Sequence, residues 1–392
     1  MKIILATESF APNVSGVATA TKNLAENLTL AGHEVWVFTP GNVLATKIDK
    51  NFTKYKVIRL KSVVNPFRSG FRITFISQRK INAEVKKIQP DIIHLQDPVT
   101  VSTLLRLAAR KFDIPVVVTN HFSLEFALSY VKFAGPAVPL LKIGLVKYLV
   151  NFYNKCDQVV TPTETFRRQL ESWGVKTPVR AVSNGIEVEQ FLKHASYEQL
   201  NDTRKKLHLP ENPLVLYLGR IDKDKAVDVL VRAIPEVVKR TDAHFVFAGG
   251  GGEIEEIKEL AAELKVDNKA SFLGFLDHKM IVRLYQTSAV FAIASLIETQ
   301  SLVTLEAMAS SLPVVAVNFN ALPELVKNGE NGFLFPPGDS KKCAEGIIKI
   351  LQNKKMAERM GRASVHLAMH HQMQRAFGEM VELYEEVIAR KK

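Results

Sequence analysis

Residues 289–309 read Ala289-Val290-Phe291-Ala292-Ile293-Ala294-Ser295-Leu296-Ile297-Glu298-Thr299-Gln300-Ser301-Leu302-Val303-Thr304-Leu305-Glu306-Ala307-Met308-Ala309. The apolar run Ala289 to Ala294 predicts a buried strand and Ser295 to Gln300 its exit loop. Leu302, Leu305, Met308 and Ala309 then recur at the spacing of one helical face. A helix that starts straight after a strand offers unpaired backbone N–H groups and a positive dipole end, which suits a diphosphate. Glu298 and Glu306 flank that start, where carboxylates can accept hydrogen bonds from sugar hydroxyls. Both roles need position rather than reactivity.

The same alternation runs through the chain and predicts parallel sheets covered by helices on both faces. In the first half, strands are expected at residues 2–7, 33–39, 57–60, 92–95, 116–119, 158–161 and 179–182. Helices should start near Gly16, Ser77, Val101, Pro139 and Thr163. In the second half, strands are expected at residues 214–218, 244–248, 271–273, 290–294 and 314–317. Helices should start near Ala226, Glu253, His278, Leu302, Leu322 and Lys341.

A chain of 392 residues with 47% hydrophobic composition is too long for one ordinary core and predicts two α/β domains. The turn-rich segment Ser183-Asn184-Gly185-Ile186-Glu187 places the boundary after residue 187. Met1 to Ala6 is cut short by Glu8 and reads as a first strand, not a signal peptide. No uncharged apolar run approaches the ~18 residues of a membrane span, since Lys142 and Lys147 interrupt the most apolar region, residues 133–152. Cys156 and Cys343 are too few for a disulfide framework or a thiolate metal site and suit a reducing, cytoplasmic setting.

Charge is unevenly spread. Residues 1–190 hold 25 Lys and Arg against 14 Asp and Glu, whereas residues 191–392 hold 27 against 26. Between Lys47 and Lys87, 12 basic residues meet only Asp49 and Glu84. That block includes Arg59, Lys61, Arg68, Arg72, Arg79 and Lys80, interleaved with Phe67, Phe71, Ile73, Phe75 and Ile76. Basic and apolar residues together suit an anionic bilayer surface, with Arg68, Arg72, Arg79 and Lys80 facing it. The bland reading is an aromatic core beneath a solvated basic face. A nucleic-acid patch would be expected to carry a recognition motif, and none accompanies the charge.

Further landmarks lie on either side of the two glutamates. The strand at 214–218 delivers Gly219-Arg220-Ile221-Asp222-Lys223-Asp224-Lys225, and Phe245-Val246-Phe247-Ala248 ends in Gly249-Gly250-Gly251-Gly252. Phe272-Leu273-Gly274-Phe275-Leu276, Leu312-Pro313-Val314-Val315-Ala316 and Asn331-Gly332-Phe333-Leu334-Phe335-Pro336-Pro337-Gly338-Asp339 follow. In this order they resemble the retaining glycosyltransferases of family 4, with their E-x7-E and G-R-x-x-x-x-K motifs, over nearly the whole chain. The resemblance implies the GT-B fold: two Rossmann-like, doubly wound parallel-sheet domains facing across a cleft. They would span residues 1–187 and 188–373, with a last helix at about 374–392 crossing back onto the first.

Arg220 and Lys225, just past a buried strand, are suited to neutralise two phosphates and the charge that grows as a nucleotide leaves. By resemblance, Glu298 meets hydroxyls of the transferred sugar and Glu306 the ribose. Backbone near Phe275 and Leu276 meets the base, and Gly249 and Gly250 line the same wall. Gly219, Thr299, Gln300, Ser301 and Leu302 complete the donor set. In the loop Pro12 to Val17, Gly16 lets backbone approach the diphosphate. His121, just beyond the strand at 116–119, matches the acceptor-side histidine, and Asn184 and Gly185 the domain junction.

No nucleophile placed for double displacement is evident, so the family picture of same-face attack is expected, with the leaving diphosphate taking the acceptor's proton. Ala226 and Ser301 stand where the family commonly has glycine, and Glu187 where it has aspartate. Ser301 could cap the helix, donate to a phosphate or crowd the donor.

The segments Thr7 to Val17 and Thr119 to Phe122 look like those of enzymes that glycosylate diacylglycerol or phosphatidylinositol. With the basic block, this predicts a lipid acceptor at the cytoplasmic face of a membrane, with UDP-glucose favoured as donor and GDP-mannose as the alternative. The rival readings are a soluble acceptor, either a sugar phosphate or a polysaccharide, and a non-catalytic membrane- or nucleic-acid-binding module. No divalent metal, further cofactor or nucleic-acid partner is expected.

Three other signals are weak. Asp222-Lys223-Asp224 resembles a D-x-D metal site but reads as a solvated turn between two cations. His366 and His370 lack the intervening glutamate of a zinc protease helix. In the G-x-G-x-x-G frame begun at Gly249, the third glycine falls on Ile254.

Overall fold

The computed structural model describes residues 1–13, 15–41, 46–64, 72–124, 138–192 and 195–391. They form two compact α/β units: residues 1–184 with 376–392, and residues 185–375. The division falls between Asn184 and Gly185, earlier than the residue 187 read from the sequence, and Gly185 turns the chain there with φ +73°.

Unit 1 is built on nine strands. They are β1 (Lys2–Ala6), β2 (Glu34–Gly41), β3 (Lys47–Asp49), β4 (Lys56–Val64), β5 (Arg72–Thr74), β6 (Ile92–Leu95), β7 (Val116–Thr119), β8 (Gln158–Thr161) and β9 (Val179–Ala181). The order is β3-β4-β2-β1-β6-β7-β8-β9, with β5 paired to β4. Only β3 and β5 run antiparallel to their neighbour. The central strands are buried on both faces, which is why they read as unbroken Val and Ile runs rather than alternating ones.

One face is covered by α2 (Gln78–Ile88), α3 (Thr100–Phe112), α4 (Val138–Tyr153) and α5 (Glu164–Ser172), through Ile81, Val85, Leu105, Phe152 and Leu170. The other is covered by α1 (Gly16–Leu30) and the last helix, α15 (Met373–Lys391), through Leu24, Leu28, Met380 and Leu383. Ser15 caps α1, its hydroxyl accepting the Ala18 N–H at 3.1 Å.

Unit 2 holds a six-stranded sheet of β10 (Leu214–Leu218), β11 (His244–Ala248), β12 (Ala270–Gly274), β13 (Val290–Ile293), β14 (Val314–Val317) and β15 (Gly332–Phe335). The order is β12-β11-β10-β13-β14-β15, parallel throughout. Around it lie α6 (Val188–Leu192), α7 (Tyr197–Lys206), α8 (Val227–Val238), α9 (Ile254–Glu263), α10 (His278–Thr287), α11 (Leu302–Ala309), α12 (Leu322–Leu325), α13 (Ser340–Leu351) and α14 (Lys354–Met369).

In both sheets the order in which successive strands are added reverses once, between β1 and β6 in unit 1 and between β10 and β13 in unit 2. Ligands of open α/β sheets bind outside the carboxyl ends of the strands at such a reversal. The sequence reading missed β3, β5, β15, α6, α7 and α14. β3 and β5 are three residues long, and α7 buries only Thr203, leaving no apolar stripe to read. No helix among the described residues is long and apolar enough to cross a membrane.

Candidate active site

In unit 2 the loops leaving β10 and β13 meet at the reversal. After β10, residues 223–225 form a single 3₁₀ turn, and the Leu296 N–H bonds the Asp224 carbonyl at 2.9 Å, so the two loops are stitched together. Lys225 is the hub of the junction. Its Nζ donates to Ser295 Oγ at 3.2 Å, to the Ile297 carbonyl at 3.1 Å and to Glu298 Oε1 at 2.8 Å. The Lys225 and Glu298 side chains are each only 14% exposed, so the pair is screened little by water or salt.

Arg220 is half exposed and bonds Asp222 and, at 3.0 Å, Asp224. The Asp224 carboxylate also lies 3.6 Å from Lys225 Nζ. This corrects the reading of residues 222–224 as a solvated turn. Asp224 is largely buried between the two cations, and Asp222 accepts the Gly252 N–H at 2.8 Å. Two cations thus face three carboxylates.

The wall opposite is made of glycine. Gly249 has φ +123°, and a Cβ there would lie 2.0 Å from the Gly219 carbonyl oxygen. At Gly250 an added Cβ would come 2.9 Å from the Phe275 ring. Phe275 is 86% exposed, so its ring lies over Gly250 with most of its surface free. Leu276 beside it is half-buried.

α11 begins at Leu302. Ser301 occupies the cap position but makes no capping bond, and instead its Oγ accepts from Thr304 Oγ1 at 2.8 Å. Its side chain is buried, so the capping expectation fails and the side chain turns inward. Thr299 and the buried Gln300 complete the loop into α11. Ala226, the other position where glycine is usual, has φ +46°, a left-handed conformation that costs an alanine about 1–2 kcal/mol.

Glu306, on the helix itself, accepts from the Tyr285 hydroxyl at 3.0 Å. It is partly exposed, yet desolvation by the surrounding protein raises its pKa to about 7, against the lowering effect of that hydrogen bond.

In unit 1, Glu8 follows β1, Gln96 and Asp97 follow β6, and Asn120 and His121 follow β7. His121 Nε2 lies 3.0 Å from Gln96 Oε1, and burial lowers its pKa to about 4, so the imidazole is neutral near pH 7. His94 sits beneath, with Nδ1 2.6 Å from the Tyr384 hydroxyl and Nε2 2.7 Å from Thr119 Oγ1. His94, Gln96, Thr119, His121 and Asn184 line a cavity of about 30 Å³.

Glu8 accepts the Val101 N–H at 2.7 Å at the start of α3, which lacks a side-chain cap of its own. Asp97 accepts the Glu8 N–H at 2.7 Å. Burial raises both carboxyl groups, and the nearby Asp97 charge raises Glu8 further. Gly16 is exposed, has no positive φ, and an added Cβ would meet nothing within 4 Å. Neither turn geometry nor crowding within the protein therefore demands glycine there.

The basic block is partly internal. Arg59 is buried, 2.9 Å from Asp49 and bonded to the Ala11 carbonyl. Arg72, expected at the surface, is half-buried and turned back onto β4, its Nε donating to Ser62 Oγ at 2.8 Å. Short antiparallel pairing brings Arg72 within reach of that hydroxyl. Arg79 and Lys80 are exposed, and Arg68 lies outside the described residues. A run of exposed apolar side chains lies elsewhere, on α4, where Leu140, Leu141, Ile143 and Tyr148 accompany the exposed Lys142 and Lys147. Among the described residues, no group of three or more His, Cys, Asp or Glu side chains is placed to hold a metal ion.

Residues 199–366 match the model of Glycosyl transferases group 1, and residues 14–190 that of Glycosyltransferase Family 4. An alpha-monoglucosyldiacylglycerol synthase of Streptococcus pneumoniae is 32% identical over 342 residues, covering 86% of this chain and 75% of that protein. The enzyme of the same name from Acholeplasma laidlawii is 30% identical over 361 residues, covering 90% and 89%. Among solved structures, Anabaena HepE in complex with UDP matches with a TM-score of 0.79 at 18% identity, over 98% of this chain and 100% of that one. That likeness establishes the GT-B fold. Family models and relatives agree that the chain is a hexosyltransferase belonging to glycosyltransferase family 4.

Proposed function

We propose that this enzyme transfers a hexose, with retention, from a nucleoside-diphosphate sugar to the free hydroxyl of a membrane lipid such as diacylglycerol, on the cytoplasmic face of an anionic membrane. The observation that carries the donor half is the junction at the reversal of the unit 2 sheet. Lys225, Arg220 and the uncapped start of α11 offer positive charge there, and Glu298 offers an acceptor for sugar hydroxyls. Glu306 would take the ribose, and Phe275 with Leu276 the base. UDP-glucose is the preferred donor. Charge is managed by side chains, so no resident metal is invoked.

For the acceptor half, two relatives carry names that include diacylglycerol. The exposed apolar side chains of α4, with Lys142 and Lys147 and no acid in the helix, suit an anionic bilayer. Arg79 and Lys80 are exposed on α2, which packs on the same face of the unit 1 sheet. Cys156 and Cys343 are free and buried, compatible with a reducing compartment.

The test is transfer by the purified protein from UDP-glucose or GDP-mannose to diacylglycerol, in vesicles with and without anionic lipid. An α-linked glycolipid formed faster on anionic vesicles is the expected product. Transfer only to soluble sugar phosphate or polysaccharide would replace the lipid reading. A failure to bind any nucleotide sugar would remove the donor assignment altogether.

Donor affinity should also depend on pH through Glu306. Ribose hydroxyls donate to a carboxylate, so bound donor favours the ionised form of a group whose pKa is raised to about 7. Binding then expels a proton, and affinity for UDP-glucose rises with pH through 7, by up to about tenfold per unit on the acid side. Calorimetry between pH 6 and 8 checks this, and Glu306→Gln should flatten the dependence. A flat profile in the parent enzyme would separate Glu306 from the ribose.

A further inference from the structure

Gln96 belongs to no motif, yet it stands directly after β6, beside the reversal of the unit 1 sheet, and is 2% exposed. Its Oε1 faces His121 Nε2 at 3.0 Å, and its Nε2, buried in the wall of the same cavity, has no hydrogen-bond partner among the described residues. A leucine of similar size would fill the space without leaving an amide N–H unpaired. The arrangement is therefore costly unless the amide oxygen has a task.

With the carboxamide placed this way its oxygen only accepts, so the imidazole nitrogen opposite it carries the hydrogen, whereas the reverse placement of the amide would put the hydrogen on Nδ1. With the oxygen facing the ring, the other nitrogen of a neutral imidazole, Nδ1, must hold the lone pair. No partner for Nδ1 is found among the described residues. The neighbouring His94 differs, because both of its nitrogens are engaged, by Tyr384 and Thr119. His94 is a fixed wall, whereas His121 keeps one acceptor in reserve.

We propose that Gln96 is a positioning residue that locks His121 in its Nε2–H tautomer and so reserves Nδ1 as the acceptor for a substrate hydroxyl. The inference rests on the reading of His121 as the histidine beside the transferred sugar. No proton leaves His121 in this role. The ring receives a hydrogen bond that orients the hydroxyl, and the unpaired Gln96 amide N–H is available to a second substrate oxygen.

The experiment is long-range ¹⁵N–¹H NMR on the full chain labelled in histidine, with the His121 signals identified by their loss in His121→Gln. The expected result is the Nε2–H tautomer at neutral pH in the parent protein. Gln96→Glu, which keeps an accepting oxygen, should retain it, and Gln96→Leu should give a mixture. In parallel, Gln96→Leu should lower kcat by about 10- to 100-fold with little change in the KM for UDP-glucose, and Gln96→Glu should recover part of the loss.

An Nδ1–H tautomer in the parent protein overturns the proposal, and this needs no variant to fold. An unchanged tautomer and turnover in Gln96→Leu would overturn it as well. Full turnover in His121→Ala would sink the role of His121 at the sugar, and with it any kinetic role of Gln96, whatever the tautomer. The two failures are thus told apart.

Discussion

Lys225→Met lowers kcat for hexose transfer by about 100-fold or more, the scale seen when a preorganised stabiliser of transition-state charge is lost. Lys225 and Arg220 are placed differently. Arg220 is half exposed and tied to two aspartates of its own turn, whereas Lys225 reaches across to the loop after β13 and ends on Glu298. When the sugar–phosphate bond breaks, negative charge grows on the leaving diphosphate. A cation already positioned by Ser295 and the Ile297 carbonyl meets that charge without reorganising.

The same three bonds make Lys225 a structural bracket, so lost turnover alone would not prove a catalytic role. Methionine keeps the stem volume, and removing the bracket should cost about 1–3 kcal/mol of stability, well short of unfolding the unit. Melting temperature and UDP-glucose affinity therefore accompany the rate measurement. Lys225→Arg keeps the charge, but its planar fork does not reproduce three convergent donors, and its rate should fall between the two. Turnover within threefold of the parent enzyme in Lys225→Met, with the fold intact, would end the assignment.

The elements that hold the site were legible because buried parallel strands leave a plain mark. The strands ending at Leu218, Ala248 and Val317 were read to the residue, since each is a short apolar run bounded by turn residues or glycine. What surrounds the charges was not legible. Counting cations between Lys47 and Lys87 suggested one basic surface, but Arg59 finds Asp49 and Arg72 finds Ser62 only through the pairing of β3 and β5 with β4. Strands of three residues carry no periodicity from which that pairing could be inferred.

Gln96 escaped for a related reason. A polar residue directly after a buried strand is a usable signal, but its weight comes from lying at the reversal of strand order. Local sequence gives the strands and not their order. Asp224 was misread because a charged triplet between two cations has the composition of a solvated turn. Its burial depends on the contact between the β10 and β13 loops, which are far apart in sequence.

Gly249→Ala, by contrast, should damage the enzyme through backbone alone. Gly249 combines φ +123° with an approach in which a Cβ would stand 2.0 Å from the Gly219 oxygen and 2.9 Å from its carbonyl carbon. The first condition strains any L-residue, and the second cannot be relieved by a rotamer because the obstacle is main chain. Gly219 would have to move, yet its N–H is bonded to the Ala248 carbonyl and the Gly249 N–H to the Gly274 carbonyl. These bonds join the exits of β10, β11 and β12.

The expected cost is about 3–5 kcal/mol, in the range reserved for severe single substitutions, and a fall in melting temperature on the order of 10 °C. Donor binding should weaken with it, since displacing Gly219 moves Arg220. Gly252→Ala provides the control. The nearest atom to its added Cβ is Asp222 Oδ1 at 3.7 Å, an ordinary contact, and its stability should stay within about 0.5 kcal/mol of the parent. If Gly249→Ala melts with Gly252→Ala and binds UDP-glucose normally, the wall is more yielding than its geometry implies. The rigid placement of Arg220, on which the charge argument for the donor depends, would then have to be abandoned.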